Sequence, residues 1–261
     1  MIIQDNEDGS YSISFTPTIQ GNHRMNIKFG KDQIGGFPIE FKVVENLVYR
    51  RDYNQIVENQ QPTLQFGSNG NADGQFSTPW GVATNSQGEI IVCDYNHRIQ
   101  IFNRQGQFLK KFGTQGNQNG QLLNPTGVSI DSRNEQIIVA DSNNRVQIFD
   151  SHGNFIRVFG SSGNGDGQFN GPRAAVVDSN GNYLVVDLNN YRIQIFDSNG
   201  RFIRKFGTPG NGNGQLSYPW GIGILSNGNI VVSEYSNSRI SIFDSQRKFI
   251  KIIGAGQILN P

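Results

Sequence analysis

Two hundred and sixty-one residues suit one large domain or two modest ones, and a chain with 32 glycines, 31 asparagines and 22 glutamines but only 35% hydrophobic residues is rich in turns and poor in long apolar helices. Twenty-two basic against 21 acidic side chains leave a net charge of +1, far from the positive bias of a protein that coats nucleic acid. The single cysteine, Cys93, excludes a disulfide framework or a four-cysteine zinc site within these residues, and with no secretory start, no run of about 18 apolar residues and no Asn-x-Ser/Thr sequon the expected location is cytoplasmic, without membrane contact.

The first 44 residues open with a turn, an alternating strand and a proline stop across residues 8–18. A second strand is expected over residues 21–29 and a third over residues 39–44. Residues 45–61, with Arg50, Arg51, Asp52 and Tyr53 and a polar glutamine end, read as a linker.

From residue 62 onward one pattern recurs. Phe-Gly pairs begin at Phe66, Phe112, Phe159 and Phe206 and are echoed at Ile253, in steps of 46 or 47 residues. A Gly-Gln pair follows each, a proline closes each glycine-rich stretch at Pro79, Pro125, Pro172, Pro219 and Pro261, and an arginine recurs at Arg98, Arg145, Arg192 and Arg239. The units are 68–113, 114–160, 161–207 and 208–254, with the start of a fifth at 255–261. In every complete unit four short β-branched or aromatic runs are separated by turn residues, which predicts four strands joined as a meander. Such a unit is a β-propeller blade and must bury its faces on its neighbours. Residues 63–67 read as a further fourth strand with no preceding three. Lysines and arginines such as Lys110, Lys111, Arg157, Arg204 and Lys205 fall on the fourth strands, where charge keeps an exposed edge from pairing with another chain.

Over residues 62–261 the blocks Val92-Cys93-Asp94, Arg98-Ile99-Gln100-Ile101-Phe102, Asp141 to Asp150 and Pro219-Trp220-Gly221-Ile222 resemble the NHL repeat, in register four times. Two departures are visible: the first two units have one residue fewer between acid and arginine, and Glu234 stands where the others have Asp. Residues 1–44, with Gly9-Ser10-Tyr11, Thr16-Pro17 and Gly36-Phe37-Pro38, resemble the last part of a filamin-type immunoglobulin repeat. A full sandwich needs about seven strands and 100 residues, so this stretch is partial. The resemblances imply an all-β chain: a partial Ig-like filamin sandwich, then a β-propeller of four-stranded NHL blades, four complete here and part of a six-bladed ring. A filamin repeat followed by NHL repeats is similar to the back half of the TRIM-NHL arrangement, without the RING, B-boxes or coiled coil. That family includes protein-docking propellers and RNA-hairpin readers.

Propellers of related shape also include metal-dependent lyases and lactonases, which makes an enzyme the third function to weigh. The histidines His23, His97 and His152 fall in a different module or on opposite faces, so no shared metal is expected, and neither a cofactor, a small-molecule substrate nor a catalytic residue is assigned. Asp94, Asp141, Asp187 and Glu234 recur with their arginines in every unit, and what recurs in every blade serves the blade.

Recognition should sit in residues that vary between blades yet share one face. The loops between blades and those between second and third strands emerge on the same side, carrying Trp80, Tyr95 and His97 in the first unit, Arg173 and Tyr191 in the third, and Tyr218, Trp220 and Tyr235 in the fourth. The second unit offers only Thr126, Ser142 and Asn144. Polar-tipped aromatics suit protein hot spots and base stacking alike, while Trp80 and Trp220 also fit the role of packing plugs between blades. Residues 62–261 carry a charge balance of only +3, and Arg173 is the one base on that face without a repeated acid. Phosphate binding wants several such charges. The expectation is therefore a non-catalytic scaffold that binds a protein partner, for which the TRIM-NHL resemblance implies a place as the substrate-recognition part of a ubiquitin ligase; RNA binding in post-transcriptional regulation is the alternative.

Overall fold

The computed structural model describes residues 64–254 in full; of residues 1–63 it describes the backbone of six short strands. The linker 45–61 and the start of a fifth unit, 255–261, lie outside the described residues. Two compact units divide the chain, Met1–Thr63 and Leu64–Pro261. In the first, Ile2–Asp5 pairs with Tyr11–Ser14, Gly21–Met25 with Ile39–Val43, and Lys28–Phe29 with Asp32–Gln33, all antiparallel. Three strands were expected. The opening one was missed for want of a turn signal ahead of it, and the expected run 21–29 divides because Lys28 and Phe29 form their own hairpin.

The second unit is four blades, each an antiparallel meander. Blade one comprises Pro79–Thr84, Ile90–Asp94, Arg98–Phe102 and Phe108–Phe112. Blade two comprises Gly127–Asp131, Gln136–Asp141, Arg145–Phe149 and Phe155–Phe159. In blade three the strands are Pro172–Val177, Tyr183–Asp187, Arg192–Phe196 and Phe202–Phe206, and in blade four Pro219–Ile224, Ile230–Glu234, Arg239–Phe243 and Phe249–Ile253. The first strands of all four line a central cavity of about 200 Å³.

In blades one to three the second and third strands are buried on both faces, and apart from the recurring acid, arginine and glutamine their inner positions are apolar. Three buried clusters result, one per blade junction. At the last of them Leu184, Val186, Ile193 and Ile195 of blade three meet Leu216, Ile230, Val232 and Phe243 of blade four. Full burial of each such side chain contributes about 1.5–3 kcal/mol. The positions of blade four equivalent to Leu184, Val186 and Ile193 are Val231, Ser233 and Ile240, and these are only half-buried. On blade one Val82 is 66% exposed. The structure holds four blades where the resemblance leads to six, and these outward sheet faces of blades one and four have no neighbour among the described residues.

The reading of residues 63–67 as a strand is corrected over residues 64–67, which join no sheet because the third strand they would pair with is not among the described residues. Phe66 nonetheless packs on Phe102 with ring centroids 4.9 Å apart, as Phe112 packs on Phe149 at 4.7 Å.

The repeated acid and arginine are scaffold. Asp94 is fully buried and accepts from the Arg98 Nε at 3.1 Å and from the Thr78 backbone N–H at 3.0 Å. Arg98 spends its other donors on the Asn71 and Gln75 carbonyls at 2.6 and 2.8 Å. Arg145, Arg192 and Arg239 repeat the pattern with Asp141, Asp187 and Glu234. The pair thus ties each glycine-rich loop to the sheet behind it. Inside these loops a glutamine of the Gly-Gln pair folds back, as when the Gln168 Oε1 accepts from the Gly165 N–H at 3.0 Å.

Candidate recognition face

The residue that follows the blade-closing proline is not constant across the blades: Trp80, Thr126, Arg173 and Trp220. All four line the central cavity. Three of them touch. The indoles of Trp80 and Trp220 stack with centroids 5.8 Å apart, and the Arg173 guanidinium carbon lies 4.0 Å from the Trp80 ring centre and 3.7 Å from that of Trp220. Cation–π contact of this kind contributes about 0.5–2 kcal/mol. The fourth, Thr126, donates its hydroxyl to the Pro172 carbonyl at 2.9 Å and so pins the backbone that presents Arg173.

Tyrosines from the loops between second and third strands extend this cluster on both sides. Tyr95 lies 6.0 Å from Trp80 and Tyr235 lies 5.6 Å from Trp220. The resulting belt, Tyr95–Trp80–Trp220–Tyr235, spans blades one and four; Tyr95, Trp80 and Tyr235 are exposed, Trp80 to 41% and Tyr235 to 44%, and Trp220 is half-buried. The tryptophans are therefore not sealed between blades. Backbone placement explains the convergence, because the Tyr95 N–H bonds the Thr78 carbonyl and the Tyr235 N–H bonds the Tyr218 carbonyl, drawing each loop onto the turn before its inner strand.

The remaining nominated residues fall at the junctions between blades. His97, Asn144 and Tyr191 share a left-handed backbone at equivalent loop positions. Each reaches the residue 27 places on: the His97 Nδ1 accepts from the Asn124 N–H at 3.1 Å, the Asn144 Oδ1 accepts from the Gly171 N–H at 2.9 Å, and the Tyr191 ring meets Tyr218 edge-on at 5.2 Å. His97 thus stitches two blades together, and its Nδ1 is occupied in doing so. Tyr191 and Tyr218 form a second aromatic pair, and the neighbouring Tyr218 hydroxyl raises the Tyr191 pKa. The extra residue between acid and arginine in blade three is taken up by a 3-10 turn, Leu188–Asn190, which leaves the Asp187–Arg192 pairing intact and presents Tyr191.

Burial pushes the Arg173 pKa down to about 10, so the side chain remains a cation at neutral pH. Cys93 is the other perturbed group near it: burial raises its thiol to about 11 although its Sγ accepts from the Gly81 N–H at 3.0 Å. Among the described residues, no group of three or more His, Cys, Asp or Glu is placed to hold a metal, and no helix is long and apolar enough to cross a membrane.

Comparison with known proteins agrees with this architecture. The Filamin/ABP280 repeat model matches residues 1–40, and the NHL repeat model matches residues 76–102, 169–196 and 216–243, in blades one, three and four. Protein lin-41 of Caenorhabditis elegans is 34% identical over 106 residues, covering 40% of this chain and 9% of that protein. The E3 ubiquitin-protein ligase TRIM71 of Gallus gallus is 37% identical over 110 residues, covering 42% and 12%. Protein brain tumor of Drosophila melanogaster is 56% identical over 45 residues, 17% of this chain and 4% of that one. The matched stretch is thus about a tenth or less of these relatives' length. Among solved structures, a streptogramin B lyase superposes with a TM-score of 0.54 at 19% identity, covering 67% of this chain and 54% of that one. A nidogen/laminin complex superposes at 0.55 and 16%, covering 71% and 65%. At such identities these two likenesses establish the fold alone. Blade two, which the family model leaves out, has the same four strands and the same buried Asp141–Arg145 pair. The chain carries a filamin repeat followed by a β-propeller of NHL repeats, similar to the NHL regions of lin-41 and TRIM71.

Proposed function

We propose that the propeller is a recognition platform that captures a protein partner on its aromatic face, as the substrate-binding part of a larger cytoplasmic ubiquitin ligase. The observation that carries this reading is the aromatic belt Tyr95–Trp80–Trp220–Tyr235, exposed at three of its four rings, beside the central cavity. Monomeric surfaces seldom expose stacked aromatics without use, and such side chains dominate protein hot spots. The ligase context comes from the relative named as an E3 ubiquitin-protein ligase. The perturbed groups nearest the belt are an arginine that stays charged and a thiol held neutral.

Tyr95→Ala combined with Tyr235→Ala removes exposed rings without touching a buried cluster. The circular dichroism spectrum and melting temperature should be retained, while proteins that co-purify with the wild-type chain should be lost. Retention of all of them would overturn the reading. RNA is the second reading, favoured by the same stacked rings. It predicts affinity for hairpin or single-stranded RNA that falls steeply with salt, whereas the protein reading predicts no RNA affinity even at low salt.

A further inference from the structure

Arg173 is the feature of the face that its aromatic neighbours do not explain. Its Nε is buried and has no hydrogen-bond partner, and no carboxylate among the described residues pairs with its guanidinium. Every arginine of the repeat, by contrast, is held by its own acid and by loop carbonyls. The ionisable groups close enough to act on Arg173 are Tyr95 and Cys93, neither of them a carboxylate. A half-buried cation without a counter-charge costs folding free energy, since burial disfavours the charged form. That cost falls on a position that is otherwise free to vary, being Trp, Thr or Trp in the other blades.

We infer that Arg173 is an anion receptor, and that it takes the side-chain carboxylate of a glutamate or aspartate in an apolar stretch of the protein partner. This deepens the reading of the face as a protein-docking platform and rests on it. Both indole centres lie within 4.0 Å of the guanidinium carbon, and a carboxylate is the planar acceptor that guanidinium N–H groups match in bidentate fashion. The low-dielectric surroundings of Trp80 and Trp220 strengthen that contact. A nucleic-acid backbone fits less well, because it needs several cations. The repeated arginines are committed to their acids, and Lys111 and Lys205 pair with Asp73 and Asp166. Aromatic rings continue on both sides of Arg173, toward Tyr95 and toward Tyr235, which gives a polypeptide room to run past it in both directions. An internal side chain therefore fits better than a chain terminus.

Trp80 and Trp220 are the only tryptophans in the sequence, so intrinsic emission reads this site alone. The test titrates the 261-residue chain with an acetylated and amidated leucine- and serine-rich peptide bearing one central glutamate, with its glutamine counterpart, and with a uridine decamer. The glutamate peptide should shift the tryptophan emission saturably and bind at least ~10-fold more tightly than the glutamine peptide, the scale of one charge-assisted contact. Arg173→Gln should abolish that preference without lowering the melting temperature, and Arg173→Lys should restore part of it. Equal binding of the two peptides, or a preference that survives Arg173→Gln, overturns the carboxylate assignment. If both peptides bind the wild type equally and both are lost in the Tyr95→Ala, Tyr235→Ala chain, the docking platform stands and only the anion assignment falls. Emission changes with the decamer alone overturn both.

Discussion

Buried acids carry the most consequence per residue. Asp187 is fully buried and receives the Arg192 Nε at 2.7 Å and the Asn170 N–H at 2.8 Å, so Asp187→Ala strands a guanidinium and several loop donors. The expected loss is about 3–5 kcal/mol of unfolding free energy, measured in urea. Blade four solves the same problem with different lengths. Glu234 is one methylene longer than Asp, and Ser241, seven residues on, replaces the glutamine found at Gln100, Gln147 and Gln194; its hydroxyl bonds the Glu234 carboxylate. Glu234→Asp alone and Ser241→Gln alone should each destabilise, and the double variant should recover part of the loss, a coupling that a double-mutant cycle reads directly. The period of 47 made the acid–arginine pairs legible in the sequence, and Glu234 was visible as a departure. Its compensation at Ser241 was not, because it depends on which side chains face one another across adjacent strands. Cys93 gives a pH prediction. A thiol raised in the folded state from 9.0 to about 11 adds stability that is fully present below pH 9 and lost as the pH rises through about 11. Native protein at pH 8 should accordingly resist a thiol-specific disulfide reagent that titrates one cysteine after unfolding.

At the level of strands and loops, the inner strands set the geometry of the face. A Cβ on Gly127 would stand 2.4 Å from the Arg173 carbonyl oxygen, so glycine is what allows the inner strands of blades two and three to come this close. Gly127→Ala should cost about 1–3 kcal/mol, and by moving the strand that carries Arg173 it should also change the tryptophan emission of the folded protein. The aromatic cluster was legible here in part, since variation against a constant repeat singled out Trp80, Arg173 and Trp220, which touch in the structure. What escaped the sequence was distance. Residues 80, 173 and 220 touch only because the blades curve around one cavity, and the contact from Tyr191 to Tyr218 crosses a blade junction. His97 stood out for the same reason that Tyr191 did, and its ring accepts a hydrogen bond from the Asn124 N–H across the junction of blades one and two.

Across the whole propeller, stability is distributed over junctions. Among the described residues the buried clusters join blade one to two, two to three and three to four, so blades one and four, the end blades of this set, have one such junction each and the middle blades two. Quasi-linear arrays of this kind fray from their ends. Trp80 and Trp220 belong to the end blades, so the urea midpoint read by tryptophan emission should lie at or below the midpoint read by far-ultraviolet circular dichroism. A higher midpoint would mean that the indole stack clamps the ends more firmly than the junctions hold the middle. Because neighbouring blades meet through interfaces of one kind at a fixed spacing, a 47-residue cassette copied in register would add a wedge without disturbing the junctions on either side. The circle would widen all the same, and the indoles would be drawn apart although neither belongs to the inserted segment. Blade number therefore acts on this face as a ruler: duplication or loss of a unit resets which ligand it can grip while leaving every residue of the grip in place.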